Sequence, residues 1–120
     1  MLIRYKKSFE KIAMGLLSFM PEVSDVKTLQ GMIKEYDENE NWHLFLWKDE
    51  DILGAVGVRI DGAKVIVQHV TVNPSHRNMG IGKRMFHRIN ELFKEYDVCS
   101  DVATESFIEK CESESPSSQV

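Results

Sequence analysis

Apolar residues recur along this chain with two different periods, and the change of period divides it. Phe9, Ile12, Ala13, Leu16, Leu17 and Met20 fall at i, i+3, i+4, i+7, i+8 and i+11, one stripe of a helix. The spacing predicts a helix from about Lys7 to Met20, stopped by Pro21. Ser24 or Asp25 can cap a second helix, in which Val26, Leu29, Ile33 and Tyr36 keep a 3-4-3 spacing. Asp37 to Asn41 is a polar break. A short strand, Leu2 to Tyr5, precedes the first helix.

Beyond Asn41 the runs become short, apolar and rich in valine. His43–Trp47, Ile52–Ile60 and Lys64–Val72 read as strands separated by the turns Asp49-Glu50-Asp51 and Asp61-Gly62, an antiparallel meander. Asn73-Pro74 ends the third of them, because proline cannot donate to a ladder. A glycine-containing loop then leads into a helix from about Gly80 to Glu95, with Ile81, Met85, Ile89, Leu92 and Phe93 on one face. Asp97–Val102 can return as a strand parallel to Lys64–Val72 by a strand-helix-strand crossover. Thr104–Cys111 reads as a last short helix, and the Ser/Glu-rich stretch from Glu112 onward is expected to be disordered.

The pattern is that of an α+β (α/β) protein, a mixed and mostly antiparallel sheet flanked by helices. One domain spans residues 1–112, and 113–120 form a polar tail. A length of 120 residues fits a single core without staples. Apolar residues make up 42% and charged residues 28%, which excludes disorder of the whole chain.

The formal net charge of −4 argues against a nucleic-acid partner. Positive charge is nevertheless concentrated between His76 and Arg88, with Arg77, Lys83, Arg84 and His87, as a small anionic ligand would require. Cys99 and Cys111 form no C-x-x-C pair and read as two free thiols. Arg4, Lys6 and Lys7 before the first apolar stripe faintly resemble a secretory signal, but Glu10 and Lys11 interrupt it and no small-x-small site follows. No apolar run approaches the roughly 18 residues that span a bilayer. A cytoplasmic protein is expected.

The chemistry concentrates at the strand-loop-helix segment from Val67 to Met85. A helix start leaves backbone N–H groups without partners and carries about half a unit of positive charge. Together these form an anion site. Gly80 and Gly82 remove side chains so that a phosphate can approach, while Arg77 and Lys83 add full charges. A Walker loop is excluded, because arginine stands at position 77 in place of glycine and at 84 in place of Ser or Thr. A dinucleotide fingerprint is excluded, because Met85 stands where the third glycine belongs.

What remains is [RQ]-x-x-G-x-[GA], present as Arg77-Asn78-Met79-Gly80-Ile81-Gly82 and preceded by Val72-Asn73-Pro74. Here the sequence resembles the GCN5-related N-acetyltransferase (GNAT) family. The likeness extends over the whole chain to small members encoded in bacterial riboflavin operons. It implies acetyl-CoA or coenzyme A as the bound thioester, with Val70, Thr71 and Val72 pairing with the pantetheine arm. Arg77, Asn78, Met79, Gly80, Ile81, Gly82 and Lys83 would hold the pyrophosphate. A backbone N–H near Val70 would polarise the thioester carbonyl.

The resemblance implies an acetyl-CoA-dependent N-acetyltransferase acting on a small amine, with a link to riboflavin metabolism. His69 is the candidate base by location, since an unperturbed histidine titrates near pH 6.5. Glu105 and Asp101 are further candidates. Family members often supply a tyrosine from the last helix as general acid; Phe107-Ile108-Glu109-Lys110 places Ile108 there, and isoleucine cannot donate a proton. Members also commonly continue into further strands, for which the residues from Glu112 are too polar. The chain thus reads as C-terminally truncated, with an acceptor side left open or closed by a second subunit in a homodimer. A CoA-binding regulatory module with weak or no turnover is the alternative.

Overall fold

The structure is a computed structural model that describes residues 1–23 and 25–113, with side chains through Cys111. Five strands form one sheet in the order β1-β2-β3-β4-β5: Leu2–Arg4, Trp42–Asp49, Asp51–Asp61, Lys64–Val72 and Asp97–Ser100. The first four are antiparallel neighbours, and β5 lies parallel to β4. Helices α1 (Glu10–Leu17) and α2 (Val26–Glu38) cover one face; α3 (Ile81–Leu92) and α4 (Glu105–Ser113) cover the other.

Coverage on both faces explains why β3 is buried without interruption from Leu53 to Val58, where a half-exposed strand would alternate. The α3–α4 side is built on Val56, Val58, Val65, Val67, Met85 and Ile89. The opposite side is built on Ala13, Leu17, Ile33 and Leu46. Truncating Ile89, fully buried, to alanine costs about 2–5 kcal/mol.

The expected elements are present, with differences at their ends. Both strands of the β2–β3 hairpin run through the acidic turn, because Glu50 alone makes the reversal at φ 66°. Asp25 caps α2 through its carboxylate, which accepts from the Thr28 N–H at 2.7 Å. Three residues placed on apolar stripes point outward: Ile12, Val26 and Leu92, at 48%, 64% and 45% exposure. Ile12 lies at the margin of its helix's buried stripe, and Val26 and Leu92 are the first and last residues of theirs. Helix α4 continues through Ser113, so Glu112 and Ser113 are helical where disorder was expected. The remainder of the expected tail, residues 114–120, lies outside the described residues. Cys99 is half-buried and Cys111 is buried, and no disulfide joins them. No described helix is long and apolar enough to cross a membrane.

Candidate active site

Strands β4 and β5 pair only from Lys64↔Asp97 to Val67↔Ser100. Beyond this point Thr104 seals the fork: its hydroxyl donates to the Val67 carbonyl. The rest of β4 keeps β3 as its neighbour, with Val70 opposite Val56, Thr71 opposite Ala55 and Val72 opposite Gly54. The other edge of these residues opens into a cavity.

The register of β4 shifts within the strand. His69 pairs with Gly57, yet Val67 pairs with Val58, leaving Gln68 as an extra residue in a bulge. The bulge exchanges the faces. Val65 and Val67 belong to the α3–α4 core, and beyond it Val70 and Val72 pack on that side. His69 and Thr71 therefore turn toward α1 and α2. The Thr71 hydroxyl donates to the Leu16 carbonyl at 2.9 Å. That bond holds the end of α1 against β4, and the segment Phe19-Met20-Pro21 that follows becomes one wall of the cavity.

The loop after β4 begins with Pro74–His76 as a short 3₁₀ turn, capped by the Asn73 carboxamide accepting from Ser75. Asn78 and Gly80 both have left-handed backbones, at φ 68° and 77°. These reversals bring the chain to the first turn of α3, whose start points its unpaired N–H groups at the loop. Arg77 crosses back, its Nε donating to the Val72 carbonyl at 3.3 Å.

The two glycines have different work to do. A Cβ at Gly80 would meet nothing within 4 Å, so this residue is needed for its positive φ and leaves open space beside it. A Cβ at Gly82 would lie 2.9 Å from Cε1 of Phe107. Both glycines line the cavity, and the space beside Gly82 is taken up by the α4 ring.

The cavity so formed holds about 570 Å³. Nine of the ten residues expected to hold a thioester cofactor line it: Val70, Thr71, Val72, Arg77, Asn78, Gly80, Ile81, Gly82 and Lys83. Met79, the tenth, is 57% exposed and lies outside the lining. His76, expected only as part of the basic cluster, joins the lining, while Phe107, Lys110, Cys111 and the Phe19–Pro21 wall carried no signal of a site in the sequence. Phe107 and Lys110 sit at i and i+3 on α4, so they share one face. Among the described residues the lining carries His76, Arg77, Lys83 and Lys110 and no carboxylate. In a chain of net charge −4, that local balance suits an anionic ligand.

The catalytic candidates are not brought together. Glu105 is exposed at the first turn of α4, outside the lining. Asp101 sits just past β5, with its backbone N–H donating to the Thr104 hydroxyl at 3.0 Å. Ile108 is buried in the α3–α4 core and does not reach the cavity. No tyrosine lines the cavity either; Tyr96 packs edge-on against Phe93 at 5.9 Å.

His69 stands beside the fork but is part-buried among aromatic rings, with Tyr36 and Trp42 at 5.7 and 6.3 Å between centroids. Its Nδ1 lies 2.6 Å from the Tyr36 hydroxyl. Burial lowers its pKa below the ordinary value, and the charges of Glu22 and Asp101 oppose that shift. The Tyr36 pKa is raised by burial, against the opposing effects of the Gln68 hydrogen bond and the Arg59 charge.

Similarity to known proteins agrees with this geometry. Residues 12–108 match the acetyltransferase (GNAT) family. An uncharacterized N-acetyltransferase in the lysA 3' region of Bacillus methanolicus is 51% identical over 114 residues, covering 93% of this chain and 95% of that protein. The fold resembles the aminoglycoside acetyltransferase AAC(6')-Iy in complex with a bisubstrate analogue, at TM-score 0.73 and 16% identity, over 94% of this chain and 86% of that one. It also resembles glucosamine-6-phosphate N-acetyltransferase from Arabidopsis thaliana, at TM-score 0.69 and 18% identity, over 93% and 89% of the two chains. The chain therefore belongs to the acetyltransferase (GNAT) family, and its activity is that of an acyltransferase.

Proposed function

We propose that the cavity binds acetyl-CoA and that the protein transfers the acetyl group to a small amine. The observation that carries this reading is the edge of β4 from Val70 to Val72, which lacks β5 and runs into a basic, carboxylate-free loop at the start of α3. An extended pantetheine arm carries amides that can pair with such an edge as another strand would. The pyrophosphate would then meet the N–H groups of Ile81, Gly82 and Lys83 and the Arg77 guanidinium. This placement leaves the thioester at the fork, near the Val70 backbone. A thiol of pKa about 8.5 leaves as thiolate with little assistance. The missing tyrosine therefore slows the step without preventing it.

The whole-chain likeness to the RibT proteins of riboflavin operons makes amine-bearing intermediates of flavin assembly the first acceptors to try. AAC(6')-Iy, with its acetylneamine-based bisubstrate analogue, supports an amine acceptor in general. The test is release of free CoA thiol from acetyl-CoA across small amines and flavin-pathway intermediates. Acceptor-dependent release is expected; release no faster than hydrolysis with every acceptor counts against the reading.

A second reading has its own observation. Neither Ile108 nor any tyrosine faces the cavity, so a module that holds CoA and turns over slowly, as a regulator, also fits. It predicts equal binding of CoA and acetyl-CoA with no acceptor-dependent turnover. A second subunit closing the side of the sheet beyond β5 belongs with either reading, and sedimentation analysis tests it.

A further inference from the structure

A buried chain of hydrogen bonds runs from Arg59 to His69, and its direction can be read from the end that has no choice. Arg59 Nη1 donates to Gln68 Oε1 at 2.9 Å. A guanidinium has no acceptor, so the carboxamide oxygen must face Arg59 and the NH₂ group must face the other way. The NH₂ group lies 3.1 Å from the Tyr36 hydroxyl and donates to it. The hydroxyl, having accepted from Gln68, has its own proton to place, and His69 Nδ1 lies 2.6 Å away. Nδ1 therefore accepts, and in the neutral ring the proton sits on Nε2.

The alternative leaves a defect. With the proton on Nδ1, the Tyr36 oxygen would accept from both Gln68 and His69, and its hydroxyl proton would have no acceptor. Tyr36 is 7% exposed and Gln68 is 4% exposed, so water does not repair the loss. A ring flip that turns Cδ2 toward the hydroxyl leaves the same defect.

Two backbone features exist to make this chain possible. The β4 bulge places Gln68 inward beside Tyr36 while His69 turns to the same helix layer. Gly57, opposite His69, leaves the space that the Tyr36 hydroxyl fills: a Cβ there would lie 1.9 Å from it.

We propose that Arg59, acting through Gln68 and Tyr36, fixes His69 as the Nε2–H tautomer, so that the ring is a hydrogen-bond donor at Nε2 and is not available as a base. Arg59, Gln68 and Tyr36 are positioning residues in this account. The tautomer does not depend on acetyl transfer; only its consequence for the acceptor rests on the proposed function. Nδ1 is occupied and Nε2 already carries a proton, so His69 has no lone pair to offer. The acceptor amine must then reach the fork as free base or lose its proton elsewhere. Glu22 and Asp101 are the charged groups whose fields reach the ring.

The test is nitrogen NMR of the full-length protein labelled with ¹⁵N-histidine, near neutral pH, with His69 assigned by its loss in His69→Gln. Nε2 should carry the proton, with the Nδ1–H form disfavoured by about tenfold or more. Gln68→Glu supplies a decisive reversal. Its carboxylate accepts from both Arg59 and the Tyr36 hydroxyl, so the Tyr36 oxygen must accept from His69 and the proton moves to Nδ1. Should that variant fail to fold, Tyr36→Phe should raise the Nδ1–H population by releasing the nitrogen. A wild-type ring with its proton on Nδ1, an even mixture, or a folded Gln68→Glu protein that keeps Nε2–H would overturn the proposal.

Discussion

Phe107, on α4, fills the space that Gly82, on α3, leaves empty, with only 2.9 Å between Cε1 and the position a Cβ would take. The ring also meets Phe86 edge-on at 6.3 Å, so it is wedged between α3 residues. Gly82→Ala should therefore destabilise the protein by about 1–3 kcal/mol through overpacking. Phe107→Ala in the same chain should remove most of that increment, making the pair non-additive in urea denaturation. Additive losses would show that the two residues do not share the space.

Gly80→Ala should behave differently. Its backbone at φ 77° disfavours any Cβ, at a cost of about 1–2 kcal/mol. The added methyl meets no protein atom and projects into open space, where a phosphate would approach. CoA affinity should fall more than stability predicts, and adding Phe107→Ala should not restore it. Titration of CoA into both glycine variants separates the two effects.

Gly57 and Tyr36 form the second close approach. A methyl at Gly57 would lie 1.9 Å from the Tyr36 hydroxyl oxygen and 2.5 Å from Cζ. Gly57→Ala should displace the ring from its bond to His69 and cost about 1–3 kcal/mol or more. Tyr36→Phe should relieve only part of this cost, because the ring carbon itself is too close. Thermal denaturation of both single variants and the double variant is the check.

The pH dependence of stability follows from the sign of the His69 shift. Its folded pKa lies below the unfolded value of 6.5, so the unfolded chain binds more protons. The stabilising contribution is complete above the unfolded pKa and is lost as pH falls through the lower, folded value. Glu22 and Asp101 moderate the loss, and burial sets its direction. His43 shifts the same way, through burial first and the Arg4 charge second, so the two must be separated. His69→Gln should flatten the stability profile below pH 6.5, and a slope equal to wild type in that window contradicts the assignment.

The elements were legible where pattern and punctuation agreed. Lys64–Val72 ends at Asn73-Pro74, and the turn at Asp61-Gly62 fixes its start. The loop from Arg77 to Gly82 announces an anion site because glycine, arginine and a helix start each contribute to the same physics. The bulge also leaves a trace in the sequence. Valines at 65 and 67 give way to valines at 70 and 72, an odd-to-even change that inserts one residue at Gln68. Tyr36 looked like an ordinary apolar-stripe residue, because its spacing shows burial and not the partner of its hydroxyl. Likewise, the role of Gly82 depends on Phe107, 25 positions away in sequence and brought near only by the packing of α4 on α3.

Calorimetric titration of acetyl-CoA into the wild-type protein and Arg77→Ala tests the central claim most directly. Loss of one charge-assisted contact of about 1.5–3 kcal/mol should weaken binding roughly 10- to 150-fold. Saturable wild-type binding with that loss is the predicted result. No binding by the folded wild-type protein, or equal affinity in the variant, would contradict the assignment of this loop as the pyrophosphate site.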